Sequence, residues 1–241
     1  MSSPRAVATW FAWVARHRAW TPYHLVRLWR FAVFKVRHRD VVTEGFVFLG
    51  KGVEVYARPG FGRVVLGRWV HLGDNCRLRA HEGTLRVGEK TVFGRDDTVN
   101  CHLDIEIGPR CLISDWVYVC DFDHKTDDLK TSSKDQGIVK TPVRIGPDVW
   151  LGVKSTVLRG VEVGEGTVVG ANAVVTRSLP PRVVAAGAPA RVVRHRDPDE
   201  APSGPRVVPA VSSRPAPAPG VARPARRPSR RAGRPEAPSS R

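Results

Sequence analysis

The segment "VCDFDHKTDD" sets one histidine, His124, between two pairs of aspartates, Asp121 and Asp123 before it and Asp127 and Asp128 after it. A neutral imidazole can take the proton of a hydroxyl as that oxygen attacks a carbonyl, and histidine's ordinary pKa of about 6.5 suits the task near neutral pH. Asp121 and Asp123 lie two apart. In a strand they would point the same way as each other and as Val119, and either could orient the ring. The same pattern also describes a histidine among solvated loop acids. The role of His124 therefore turns on the elements that hold it.

Those elements repeat. An aliphatic residue recurs, usually with glycine after it and a small residue four places on, at Ile145, Leu151, Val157, Val163, Val169 and Val175. The frame also runs through Leu66, Leu72 and Leu78, through Val87, Phe93 and Val99, and through Ile107, Ile113 and Val119, with Leu49 and Val55 at its start. The joints are uneven, and the largest interruption, residues 125–142, follows His124. A six-residue period fits a short strand that turns a corner, with one aliphatic side chain per unit directed inward. On this view the glycine takes the corner's unusual dihedral angles. Three units make a triangular coil, and about six coils stack between Leu49 and Pro180.

Two basic segments flank the repeat. Residues 1–40 hold 8 Lys/Arg and 1 Asp, and residues 197–241 hold 9 Arg and 4 acids, so +12 of the net charge of +16 lies at the ends. Basic ends suit polyanions or an anionic membrane surface. The tail has no interleaved aromatics and no nucleic-acid-binding motif, which argues against a nucleic-acid partner. It carries 11 of the 20 prolines and almost no large apolar residue, a composition that predicts disorder over 197–241. In residues 1–44, Val7, Trp10, Phe11 and Val14, and then Leu25, Leu28, Trp29 and Ala32, each mark one face of a helix. Thr21-Pro22 between them predicts a helix start. The frequent arginines exclude a membrane span. Such helices would pack on the main domain or a neighbouring subunit, or lie on an anionic membrane.

The four cysteines, Cys76, Cys101, Cys111 and Cys120, form no CxxC pair. Together with the lack of a secretory apolar segment, they predict a reduced, cytoplasmic setting. Cys76 and Cys111 replace small residues of the repeat and are expected to be buried packing residues.

The repeat resembles the hexapeptide-repeat acyltransferases over residues 46–196, most strongly from Ile107 to Arg194. It is similar to the galactoside, maltose and xenobiotic O-acetyltransferases and to sugar acyltransferases of high-GC Gram-positive bacteria. The resemblance implies a left-handed parallel β-helix at 45–196, a homotrimer, acetyl-CoA or another acyl-CoA as donor, no metal, and acylation of a sugar or polysaccharide hydroxyl. An N-acyltransferase acting on an amino sugar is the alternative, since the same base and donor would serve.

In the family the catalytic histidine sits at the base of a loop that leaves one corner, and His124 has that place. The resemblance further assigns Trp150 and Gly152 of "DVWLG", Ala171 of "GANA", Thr176 and Arg177 of "VVTRSLPP", and Arg191 and Arg194 of "GAPARVVR" to the CoA side. An arginine fork suits phosphate oxygens. Val153 departs from the small polar residue that relatives can carry there. Asn100 stands about where the family faces its acceptor, and His102 would share its strand face. A zinc carbonic anhydrase of this fold needs three histidines on adjacent coils, two of them close in sequence. His71, His81, His102 and His124 show no such pair.

Overall fold

The computed structural model describes residues 12, 14–16, 21–38 and 40–196. The tail read as disordered, and Val7, Trp10, Phe11, Trp13 and Trp20, lie outside the described residues. Residues 41–195 form a parallel β-helix of about six coils with three faces. The first face is built from Val41–Thr43, Gly62–Leu66, Gly83–Val87, Asp104–Ile107, Val143–Ile145 and Glu162–Val163. The second runs from Phe48–Leu49 through His71–Leu72, Val92–Phe93, Leu112–Ile113, Trp150–Leu151 and Val168–Val169 to Val183–Ala186. The third runs from Glu54–Ala57 through Arg77–Ala80, Thr98–Cys101, Tyr118–Cys120 and Thr156–Val157 to Val174–Val175. Val41–Thr43 pairs with Gly62–Leu66, so the solenoid's first strand lies inside the segment 1–44 assigned to helices.

Every aliphatic position of the repeat frame is buried, and each belongs to one of three columns. Leu66, Val87, Ile107, Ile145 and Val163 stack behind the first face. Leu49, Leu72, Phe93, Ile113, Leu151 and Val169 stack behind the second. Val55, Leu78, Val99, Val119, Val157 and Val175 stack behind the third. Burying one such side chain contributes about 1.5–3 kcal/mol relative to leaving it exposed, which makes the three columns the main support of the fold. The small residues four places on line the inner corners. Cys76 and Cys111 are among them, buried and free. Burial pushes their thiols up to about 12 and about 11, which leaves them unreactive.

The glycine expectation needs correction. The left-handed backbone falls three residues after the aliphatic position, on Arg110, Trp116, Asp148, Lys154 and Asn172, with φ between 54° and 59°. The glycine directly after the aliphatic is required for another reason, the close approach of the next coil. A Cβ on Gly108 would lie 2.6 Å from the carbonyl carbon of Gly146, and one on Gly152 would lie 2.7 Å from the backbone nitrogen of Ala171.

Helix α1 (Pro22–Arg37) begins at the proline, as the Thr21-Pro22 pair predicts, although the Thr21 side chain makes no cap hydrogen bond. Of the apolar set Leu25, Leu28, Trp29 and Ala32, only Leu28 packs against the core. Arg27, Phe31 and Phe34 are buried, Phe31 packing 4.9 Å from Phe46, whereas Leu25, Trp29 and Ala32 are exposed. Arg27 Nη1 lies 3.0 Å from His71 Nε2, which ties the helix to the second face. A guanidinium with an imidazole partner and a long aliphatic stem can thus take a core position that a count of apolar residues assigns elsewhere.

Candidate active site

The interruption after Val119 is a β-hairpin. Phe122–His124 runs antiparallel to Ile138–Lys140, with His124 opposite Ile138. The excursion thus begins at Phe122, before His124, so His124 sits on the outgoing arm and not at its base. The imidazole is exposed and lines a cleft of about 570 Å³ with Asp123, Lys125, Asp127, Val139 and Arg159.

The two aspartates before it have different duties. Asp121 is fully buried and its carboxylate is consumed by the backbone. Oδ1 accepts the N–H of His102 at 2.7 Å, and Oδ2 accepts those of Leu103 and Asp104 at 2.8 Å each. Asp121 therefore pins the corner beneath the hairpin; it neither contacts the His124 ring nor stands in solvent. The inward direction shared with Val119 is the direction it takes. Asp123 instead accepts from Arg159 Nε at 2.6 Å, and Arg159 Nη1 reaches Thr141 Oγ1 at 3.4 Å on the returning arm. Across the hairpin, Lys140 pairs with Glu82, whose carboxyl that bond holds below its usual range. Two ion pairs thus tie the hairpin to the coils on either side of it.

Asn100 and His102 lie beside this hairpin, on the outward side of a strand whose Val99 and Cys101 are buried. The His102 ring stacks on His81 at 4.8 Å and 21° and meets Phe122 at 4.3 Å, and Phe122 meets His124 edge-on at 6.2 Å. Burial, and then the neighbouring His81, push the His102 pKa down and favour its neutral form. Asn100 Nδ2 reaches the Tyr118 hydroxyl at 3.3 Å. Asn100 Oδ1 and His102 Nδ1 are buried and have no hydrogen-bond partner among the described residues.

The residues assigned to the CoA side occupy two other places. Leu112, Trp150, Val168, Val184 and Arg194 form one row across the second face, with Arg191 opposite Ala186 on the same pair of strands. Trp150 is 47% exposed, and its Nε1 donates to Ser114 Oγ at 3.0 Å. Gly152 and Ala171 sit one above the other at the corner leading to the third face. Thr176 and Arg177 are exposed at the far end of the third face, on the corner from which the hairpin leaves. Within the chain the third face separates Trp150, Gly152 and Ala171 from His124.

Arg159, Phe122 and Tyr118 carry no role in the sequence reading, and His81 enters it only as a histidine weighed for zinc. Arg159 had a signal: it follows Val157 by two residues, as Asp121 follows Val119 and Arg177 follows Val175, which places all three on one corner.

The bacterial transferase hexapeptide family model, six repeats long, matches residues 142–177. WcaF of Escherichia coli, which carries the name of a colanic acid biosynthesis acetyltransferase, is 31% identical over 195 residues, 79% of this chain and 87% of that protein. The chain belongs to the hexapeptide-repeat acyltransferases. Another member, Rv3034c of Mycobacterium tuberculosis, named as a probable acetyltransferase, is 54% identical over 184 residues, 76% of this chain. The aligned part spans 61% of Rv3034c. The family fold is also that of AntD, an N-acyltransferase from Bacillus cereus whose mutant was crystallised with dTDP and coenzyme A. The match has a TM-score of 0.57 and 20% identity, and covers 68% of this chain and 89% of AntD.

Proposed function

We propose that the protein transfers an acetyl or other short acyl group from acyl-CoA to a hydroxyl of a sugar or polysaccharide-type acceptor, with His124 as the general base. The observation that carries this reading is the contiguity of His124, Phe122, His102 and Asn100. An exposed imidazole on a tethered arm adjoins two buried polar atoms that lack partners. The acceptor sugar is proposed to lie against this cluster, beside Asn100 and His102.

The chemistry is a direct transfer. The imidazole of His124 accepts the proton of the acceptor hydroxyl as that oxygen attacks the thioester carbonyl. The tetrahedral oxyanion collapses, the C–S bond breaks, and the CoA sulfur leaves with the proton that His124 returns. Backbone N–H groups of the β-helix wall are the natural donors to the oxyanion. No acyl-enzyme is required, because the thioester is already activated.

Trp150, Gly152, Ala171, Thr176, Arg177, Arg191 and Arg194 are proposed to hold the donor. In one protomer the third face stands between Trp150 and His124. A homotrimer, in which one subunit's second face meets the next subunit's hairpin, would join the two halves of the site. Among the described residues no helix is long and apolar enough to cross a membrane.

An assay of CoA release from acetyl-CoA against a panel of sugars, nucleotide sugars, amino sugars and polysaccharides tests the reaction. Turnover confined to amino sugars would replace the O-acyl reading with the N-acyl one. Light scattering tests the assembly, and a fully active monomer would refute the shared site.

A further inference from the structure

We propose that helix α1 docks the protein on an anionic membrane surface. Its outward side carries Leu25, Trp29, Ala32 and Val36 at i, i+4, i+7 and i+11, a single stripe along the helix. Leu25 is 49% exposed, Trp29 70% and Val36 68%, and Val26 lies exposed beside them. The opposite side, Arg27, Phe31 and Phe34, is already committed to the core. The stripe is therefore exposed in the folded chain, and its members are contiguous along one helix face instead of scattered singly.

The charges around it select the partner. At 100° per residue, Arg30 and Arg37 border the stripe on one side and Lys35 on the other, and the helix contains no carboxylate. Between the helix and the first coil a groove of about 250 Å³ opens beside Trp29, with Arg30, Arg37 and Lys51 among its lining residues. Three cations around a small groove suit a phosphate oxygen of a lipid headgroup. Trp29 stands at the rim of that groove and in the stripe, with an apolar body and a polar edge, as interfacial tryptophans do. An anionic surface neutralises the cations on both sides of the stripe at once. At 16 residues, about 24 Å, the helix lies along a bilayer surface and does not cross it.

The test uses the full chain and vesicles of phosphatidylcholine, with and without phosphatidylglycerol. Co-sedimentation with the anionic vesicles is expected at low salt, with a loss of binding as salt screens the cations, and little binding to the neutral ones. Trp29→Ser with Leu25→Ser, and separately Arg30→Gln with Arg37→Gln, should each lower the bound fraction by about fivefold or more. Phe61→Ser, at an exposed apolar residue away from the helix, should leave it unchanged. All these positions except the half-buried Arg30 are well exposed, and circular dichroism will confirm that each variant keeps its fold. Equal binding to both vesicle types, no binding to either, or binding indifferent to Trp29 and Leu25 would overturn the proposal. So would a Trp29→Ser variant whose particle mass falls in light scattering, since the stripe would then be a contact between copies.

Discussion

Arg159 Nε lies 2.6 Å from Asp123 Oδ2, which joins the next coil of the solenoid to the residue preceding His124. A base carried on a hairpin arm has the freedom of that arm unless something outside the hairpin restrains it. This ion pair, with the Arg159 contact to Thr141 and the Lys140–Glu82 pair, supplies the restraint.

Replacing His124 by alanine should lower kcat by roughly a hundredfold or more, the range for loss of a positioned base. Acetyl-CoA affinity, measured by calorimetry, should barely change, because the donor is assigned to Trp150, Arg191 and Arg194. Near-normal turnover with collapsed donor binding would make His124 a donor ligand and direct attention to His102.

Arg159→Ala and Asp123→Asn should each reduce kcat by about three- to tenfold through looser placement of His124. Both partners are more than a third exposed, so stability should change by only about 0.5 kcal/mol or less. A double variant with the charges exchanged should recover part of the lost kcat. Equal losses in the single and double variants would sever the pair from catalysis.

Gly108→Ala places a methyl group 2.6 Å from the carbonyl carbon of Gly146 and leaves the backbone angle unremarkable. The coils would have to separate locally, at a cost of about 2–3 kcal/mol. Urea denaturation should show that loss. A Gly60→Ala control meets open space but has a φ of +77°, and should cost about 1 kcal/mol through backbone strain alone.

Asp97 is buried at an inner corner, where Oδ1 accepts the Val117 N–H at 2.8 Å. Burial pushes its carboxyl up to about 8, against an ordinary value of 3.8. The folded state therefore holds a proton that the unfolded chain has released, and this group's contribution to stability falls as pH rises from about 4 through 8. Asp97→Asn keeps an acceptor for Val117 and cannot ionise. It should be more stable than the parent at pH 9, by on the order of 1 kcal/mol or more, and similar to it at pH 4. A parent whose melting temperature is flat over that range would contradict the assignment.

The solenoid was legible because its signal is local. Val157, Val163 and Val169 are six apart and stand behind the three faces of the same triangle, so every third unit returns to the same column in space. The role of glycine was misread because both explanations, an unusual dihedral and a close neighbour, predict the same residue. Only the packing of Gly108 against Gly146, 38 positions on, separates them. Helix α1 begins at Pro22, as the Thr21-Pro22 pair predicts, but of its apolar set only Leu28 packs against the core. Its core face contains Arg27, and the reason, His71, lies 44 residues downstream. Asp121 and Asp123 looked equivalent beside His124. Their partners, the backbone at 102–104 and Arg159, come from other coils, and the 125–142 insertion hides the register that brings those coils together.

The last described strand has a consequence beyond donor binding. Arg191–His195 runs antiparallel along Val183–Ala186, where every earlier strand of the second face is parallel to its neighbour, and all five of its residues are exposed. A stack of parallel coils ends in an unpaired strand edge, which is a template for another chain. The reversed strand occupies that edge and presents Arg191 and Arg194, so further growth would meet charge and the wrong strand direction. A chain cut at residue 190 would leave Val183–Ala186 as an apolar border open to self-association. Its particle mass in light scattering should then rise with concentration, while circular dichroism shows the coils still folded.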